Sequence, residues 1–196
     1  VTRPGAPSRR GETAEVASVL ARYRRLLSIE APATLDGGDV LPLGRTLYVG
    51  RSGRTNDEGI EQLRRLVAPL DYRVVPVEFS GCLHLKSAVT AVAEDMLLMN
   101  PGWISAVALP RCEVVHVDAR EPYGANALRL AGTVVYSSQY PRTRDLLIAR
   151  GLRVATTDTR ELAKAEGAVT CCSLVFEHAL ENDPEPRAAS PRHAKQ

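Results

Sequence analysis

The chain has 196 residues, enough to bury a sizeable core as one domain, and its 25 Lys and Arg are balanced by 23 Asp and Glu. That balance, with basic pairs only at Arg9-Arg10, Arg24-Arg25 and Arg64-Arg65, argues against a nucleic-acid-binding face. No apolar stretch reaches the length of a membrane span, no signal peptide opens the sequence, and four cysteines without zinc-finger spacing make no disulfide framework, so a reducing, cytoplasmic setting is expected.

Taken in chain order, residues 1–29 read as the back half of a strand–helix–strand unit. Val1-Thr2-Arg3-Pro4 resembles the end of a strand entering a turn. A helix comes next with Val16, Leu20, Tyr23 and Leu27 on one face, then a short strand near Leu27 to Ile29. Residues 39–77 predict strand, turn, strand, helix, strand. Val40 to Leu43 and Thr46 to Val49 flank Gly44-Arg45, a turn signal. Thr55 with Glu58 three residues on is a capping-box signature, and Ile60, Leu63, Val67 and Leu70 line one helix face. Tyr72 to Val77 returns as a strand.

The plan recurs more loosely over 85–118, with Ala88 to Val92, Met96 to Met99, a short helix near Ile104, and Val114 to Val117. It recurs clearly over 124–158: Asn126 to Leu130 and Val134 to Ser137 flank Gly132, a helix opens at Arg142-Thr143, and Arg153 to Ala155 returns. Arg54-Thr55 and Arg142-Thr143 hold matching places, as do Arg73-Val74 and Arg153-Val154. Ala168 to Phe176 reads as a strand that starts another unit, and 178–196 is polar, Pro/Ala-rich and expected to be disordered. The expectation is a single domain over 1–177 with a tail. Units that bury faces only against neighbours want a closed ring or a cap. The first residue is Val1 and the first unit lacks its front hairpin, so a truncated or processed N-terminus is expected.

Cysteine and histidine are the reactive residue types. Strand alternation would put Cys171 and Cys172 on opposite faces, one towards a site and the other packed. A buried cysteine is otherwise an inert small hydrophobe. His84 sits at a loop-to-strand junction, where scaffolds hold catalytic groups, although a structural role is open. His116 lies in an alternating strand and reads as structural; His178 and His193 lie in the tail. Asp36-Gly37-Gly38-Asp39 places two carboxylates around a glycine pair. Either both cap backbone amides in a turn, or the glycines allow close backbone approach and Asp36 orients the histidine. Arg9 and Arg54 precede helices after Gly-containing loops, which suits either a bound carboxylate or a local salt bridge. No Walker loop, Rossmann fingerprint or metalloprotease helix motif occurs, and no metal or cofactor is expected.

Four stretches together resemble the dimethylarginine dimethylaminohydrolases of the guanidino-group-modifying superfamily. They are Thr2 to Arg10, Ala33 to Val40, Leu83 to Ser87 and Glu166 to Ser173, in the family's order across residues 1 to about 177. The resemblance implies an α/β fold, a pentein-type five-bladed propeller of ββαβ units, with the N-terminal part of one blade missing. It implies Cys171 as nucleophile with Cys172 its packed neighbour, His84 as general acid/base and Asp36 as the histidine's partner. Arg9 and Arg54 would bind the substrate's α-carboxylate, and the Ala165 carbonyl its α-ammonium. The family's guanidinium-binding acids lie in a Phe-Val-Glu-Asp-like motif that this sequence lacks; a protein that began at Val1 would be expected to be inactive. The implied reaction is hydrolysis of methylated arginine to citrulline through a thiouronium. Alternatives are an arginine deiminase or related amidine hydrolase, or a non-catalytic guanidine-binding protein. The partner is a small molecule, and a homodimer is compatible with the sequence.

Overall fold

The structure is a computed structural model that describes residues 1–110 and 112–176. The expected tail, with His178 and His193, lies outside the described residues. Chain order runs α1 (Glu12–Leu20), β1 (Val40–Leu43), β2 (Thr46–Gly50), α2 (Asp57–Val67), β3 (Arg73–Val77), α3 (Leu85–Ala88), β4 (Val89–Ala91), β5 (Met96–Met99), β6 (Glu113–His116), β7 (Leu128–Leu130), β8 (Thr133–Ser137), α4 (Pro141–Ala149), β9 (Arg153–Thr157) and α5 (Arg160–Ala163).

The strands form three sheets of identical plan, β1-β2-β3, β4-β5-β6 and β7-β8-β9. In each, the first two strands are an antiparallel hairpin and the third lies parallel to the second. Parallel pairing needs a crossover, which α2 and α4 supply in the outer sheets. Thr46 faces Arg73 as Thr133 faces Arg153, so the repeat read from the sequence holds to the residue. The short helix expected near Ile104 is, among the described residues, the 3-10 helix Ala106–Ala108, after a turn at 101–103. The third hairpin turns through Ala131 and Gly132, both at positive φ (46° and 75°), the backbone of a type I′ turn.

The central strand β5 explains the packing. Met96, Leu97, Leu98 and Met99 are all buried. Met96 and Leu98 join a cluster with Val115, Val134, Tyr136 and Leu147. Leu97 and Met99 join another with Leu41, Val77, Leu85 and Val89. Two-residue alternation thus sends successive side chains to opposite faces, and both faces are covered by neighbouring sheets. A third cluster places Ile29, Ala33 and Leu35 with Val49, Ile60 and Val74.

Four expectations need correction. First, α1 stops at Leu20, before Tyr23 and Leu27 could extend its face, and Val16 and Val19 are exposed. Second, Leu27 to Ile29 is not a strand: Ile29 N–H donates to the Val1 carbonyl and Arg3 bridges Leu35, a pairing too short to form a ladder. Third, α2 is capped by Asn56 rather than Thr55. The Asn56 side-chain oxygen accepts from the N–H groups of Gly59 and Thr34, both at 2.9 Å, while Thr55 is buried and bonded elsewhere. Fourth, Ala168 to Phe176 is not a strand. With no paired strand among the described residues, its N–H groups fold back locally, Cys171 to the Ala168 carbonyl and Ser173 to that of Thr170.

Candidate active site

The two carboxylates around Gly37-Gly38 take the two different roles that the sequence left open. Asp39 is fully buried and accepts three hydrogen bonds, from Ser52 Oγ (2.7 Å), Thr55 Oγ1 (2.7 Å) and Leu85 N–H (3.0 Å). It therefore anchors the start of α3 and fixes the backbone next to His84. Asp36 accepts from Gly5 N–H at 3.1 Å, and its Oδ2 lies 2.9 Å from His84 Nε2.

An ionised carboxylate can only accept, so Nε2 carries the proton and Nδ1 is left for proton exchange. Burial alone would push Asp36 up. The hydrogen bonds from His84 and Gly5, with the charges of His84 and Arg9, outweigh it and hold the carboxyl below its usual 3.8. A depressed folded-state value adds stability that is present above the unfolded value and lost as pH falls through the folded one. Thermal melts should accordingly show an acid limb below about pH 4. Asp36→Asn should flatten that limb, and an unchanged limb would mean another carboxyl carries it.

Gly38 allows the histidine its place. A Cβ there would stand 2.6 Å from His84 Cγ, whereas one at Gly37 would meet nothing within 4 Å.

His84, Asp36, Arg9 and Cys171 all line one cavity of about 700 Å³. Its wall also includes Glu12, Lys86 and Thr170 and the apolar Val16, Leu20 and Leu26. Arg9 forks onto Glu12 (3.0 Å) and comes within 3.7 Å of Asp36 Oδ2. Cys172 corrects the expectation of a packed neighbour: both Cys171 and Cys172 are exposed and both line the cavity, because a turn, unlike a strand, does not send adjacent side chains to opposite faces.

Arg54 and Ala165 do not line this cavity. Arg54 sits in the loop before α2, its N–H on Ser52 Oγ, and Gly5 packs on its backbone with room for no Cβ. Ala165 is exposed in the turn after α5. His116 is exposed at the end of β6 and does not line this cavity.

Two features escaped sequence reasoning. Lys86 lines the cavity two residues past His84, in a stretch already singled out for its histidine. Burial pushes its ammonium below its ordinary value, and the charges of Cys171 and Asp39 oppose that shift. Arg9, raised chiefly by its hydrogen bond to Glu12, also feels the charge of Cys171. Both cations line the same cavity as Cys171. Asn126 is the second feature. Nothing in its sequence context marks it, yet it bonds both Lys86 and Thr170.

Cys82 is a built-in control. Its thiol donates to the His84 carbonyl at 3.3 Å. Burial, helped by the charge of Asp39, pushes it to about 11. Iodoacetamide at pH 8 should label exposed Cys171 and Cys172 and spare Cys82, which is roughly one part in a thousand thiolate. Peptide mass mapping reads this directly.

Among the described residues no group of three or more His, Cys, Asp or Glu could hold a metal ion, and no helix is long and apolar enough to cross a membrane.

No family model matches the sequence. An N(G),N(G)-dimethylarginine dimethylaminohydrolase of Streptomyces coelicolor is 43% identical over 176 residues, which is 89% of this chain and 67% of that protein. Among solved structures, a cysteine-to-serine mutant of the Pseudomonas aeruginosa enzyme complexed with citrulline superposes with a TM-score of 0.83 at 33% identity, covering 90% of this chain and 70% of that one. A histidine-to-glycine mutant of a dimethylarginine dimethylaminohydrolase, as an adduct with S-methyl-L-thiocitrulline, gives a TM-score of 0.86 at 33% identity and the same coverage. With this identity extending over two thirds of a relative's length, and with the Cys, His and Asp of the sequence motifs gathered at one cavity, the chain belongs to the dimethylarginine dimethylaminohydrolase family.

Proposed function

We propose that the protein hydrolyses N-omega-methylated arginine, asymmetric dimethylarginine or monomethylarginine, to citrulline and dimethylamine or methylamine. The observation that carries the reading is the meeting of Cys171, His84 and Asp36 at one cavity, from segments 48 and more residues apart. The relatives bound to citrulline and thiocitrulline support it.

A guanidinium is a poor electrophile because its charge is delocalised, so a thiolate is needed. Cys171 sulfur bonds to the guanidinium carbon and gives a tetrahedral adduct. His84, its Nε2–H held by Asp36, delivers a proton to the methylated nitrogen, and the C–N bond breaks with release of the amine. A thiouronium remains on Cys171. Neutral His84 then takes a proton from water as the oxygen bonds to carbon. The C–S bond breaks and the thiolate is regenerated, and the new C–OH group gives its remaining proton to solvent as citrulline is released.

In this proposal Arg9 holds the substrate's α-carboxylate. Arg54 and the Ala165 carbonyl complete the set for α-carboxylate and α-ammonium, and both require the substrate to reach beyond the cavity wall. We further propose that the three sheets belong to a five-bladed α/β propeller, supported by their identical strand order. The cytoplasm is the proposed location, because the four cysteines are free. A homodimer is the proposed assembly, to be separated from a monomer by sedimentation.

The deciding experiment incubates the protein with asymmetric dimethylarginine and identifies the amine released. Stoichiometric dimethylamine and citrulline support the reading. In a parallel incubation with arginine, release of ammonia without turnover of dimethylarginine would make the protein a deiminase, and binding without product would make it a guanidine-binding protein.

A further inference from the structure

The nucleophile and the histidine lie on different segments, and one buried side chain joins them. Asn126 precedes β7 and is 6% exposed. Its amide nitrogen donates to the Lys86 carbonyl (3.0 Å) and to Thr170 Oγ1 (2.9 Å). Its amide oxygen accepts from Thr170 N–H at 3.2 Å. Lys86 is two residues beyond His84, and Thr170 immediately precedes Cys171.

Apart from the buried Val169 side chain, the Cys171 segment is held by few contacts. Its other hydrogen bonds are internal: Cys171 N–H to Ala168, Ser173 N–H to Thr170 and Ser173 Oγ to the Val169 carbonyl. Among the described residues, Asn126 is the one hydrogen-bonding partner that residues 168–174 have outside themselves. Cys171 is itself exposed, so packing does not fix its position.

We propose that Asn126 is a positioning residue that clamps the Cys171 turn to the His84–Lys86 segment and so sets the distance between nucleophile and proton carrier. An amide is suited to this: one planar group offers a donor pair and an acceptor at once. A carboxylate of the same shape would present only acceptors and could not bond the Lys86 carbonyl. The proposal rests on the catalytic roles of Cys171 and His84. Asn126 touches no reacting atom in it. Misplacement of a catalytic group by about 1 Å reduces turnover on the order of 100-fold.

The test compares wild type, Asn126→Asp and Thr170→Val, the last removing one clamp contact while keeping the residue's shape. Folding of each is checked by thermal melt, and Thr170→Val carries the test if Asn126→Asp does not fold. With dimethylarginine, kcat should fall about 100-fold in Asn126→Asp and about 10-fold in Thr170→Val, with KM within about threefold of wild type. A purely structural role would instead lower the melting temperature and leave kcat per folded molecule unchanged, which would overturn the proposal.

A second readout needs no turnover. The pH dependence of Cys171 alkylation by iodoacetamide is measured with and without His84→Asn. In wild type, His84→Asn should shift that profile. In an Asn126→Asp or Thr170→Val background the same change should have little further effect, because the two groups are already uncoupled. Full additivity overturns the clamp. A wild-type profile indifferent to His84→Asn is a separate result: it removes the Cys171–His84 pairing itself, and the clamp with it.

Discussion

Citrulline formation should fall on the order of 10,000-fold or more in Cys171→Ser and stay within about threefold of wild type in Cys172→Ser. A serine hydroxyl is far less acidic than a thiol and stays protonated at neutral pH. The carbon of a guanidinium is too electron-rich for a neutral oxygen nucleophile. Cys172 makes this a sharp comparison. It is exposed, it lines the same cavity and it adjoins Cys171, so chemistry alone does not choose between them. Equal losses in both variants would overturn the assignment, and so would activity in Cys171→Ser. Melting curves should coincide for all three proteins, since neither thiol is part of a buried cluster.

Gly38→Ala should lower kcat about 100-fold, whereas Gly37→Ala should keep it within about threefold. The two glycines are adjacent and share a wall of the cavity, yet their surroundings differ. A methyl at 38 would enter the imidazole, 2.6 Å from Cγ and 2.9 Å from Cδ2 of His84. The ring must then move or the Asp36–Gly38 turn must open. Either change breaks the 2.9 Å contact between His84 Nε2 and Asp36. The same overpacking should destabilise the fold by about 1–3 kcal/mol. A methyl at 37 meets open space, and φ there is not positive, so no strain is expected. The measurement is kcat at saturating dimethylarginine for both variants, with a melt for each. Equal behaviour of the two would show that contact with the ring does not matter.

The sequence made the repeat legible because local rules govern it. Gly44 and Gly132 mark hairpin turns, and two-residue alternation and helical spacing mark the strands and helices around them. The predicted pairing of Arg73-Val74 with Arg153-Val154 as equivalents appears in the strand register. Local rules also misled. Thr55 and Glu58 look like a capping box, but a buried carboxylate, Asp39, draws Thr55 Oγ1 away at 2.7 Å and leaves the cap to Asn56. Ala168 to Phe176 has the composition of a strand, but a strand exists only where another backbone pairs with it.

The residue types of the site, its order along the chain and the family were readable from motifs. Asp36 as the histidine's partner was readable from its motif, but the task of Asp39 was not, since composition treats the two acids alike. Tertiary structure separated them by presenting one to His84 Nε2 and the other to the Leu85 N–H. It also turned both cysteines to one cavity and set Lys86 and Asn126 beside them. Hydrogen bonds between residues 40 and more positions apart leave no trace in local spacing, because they depend on where the sheets come to rest against one another.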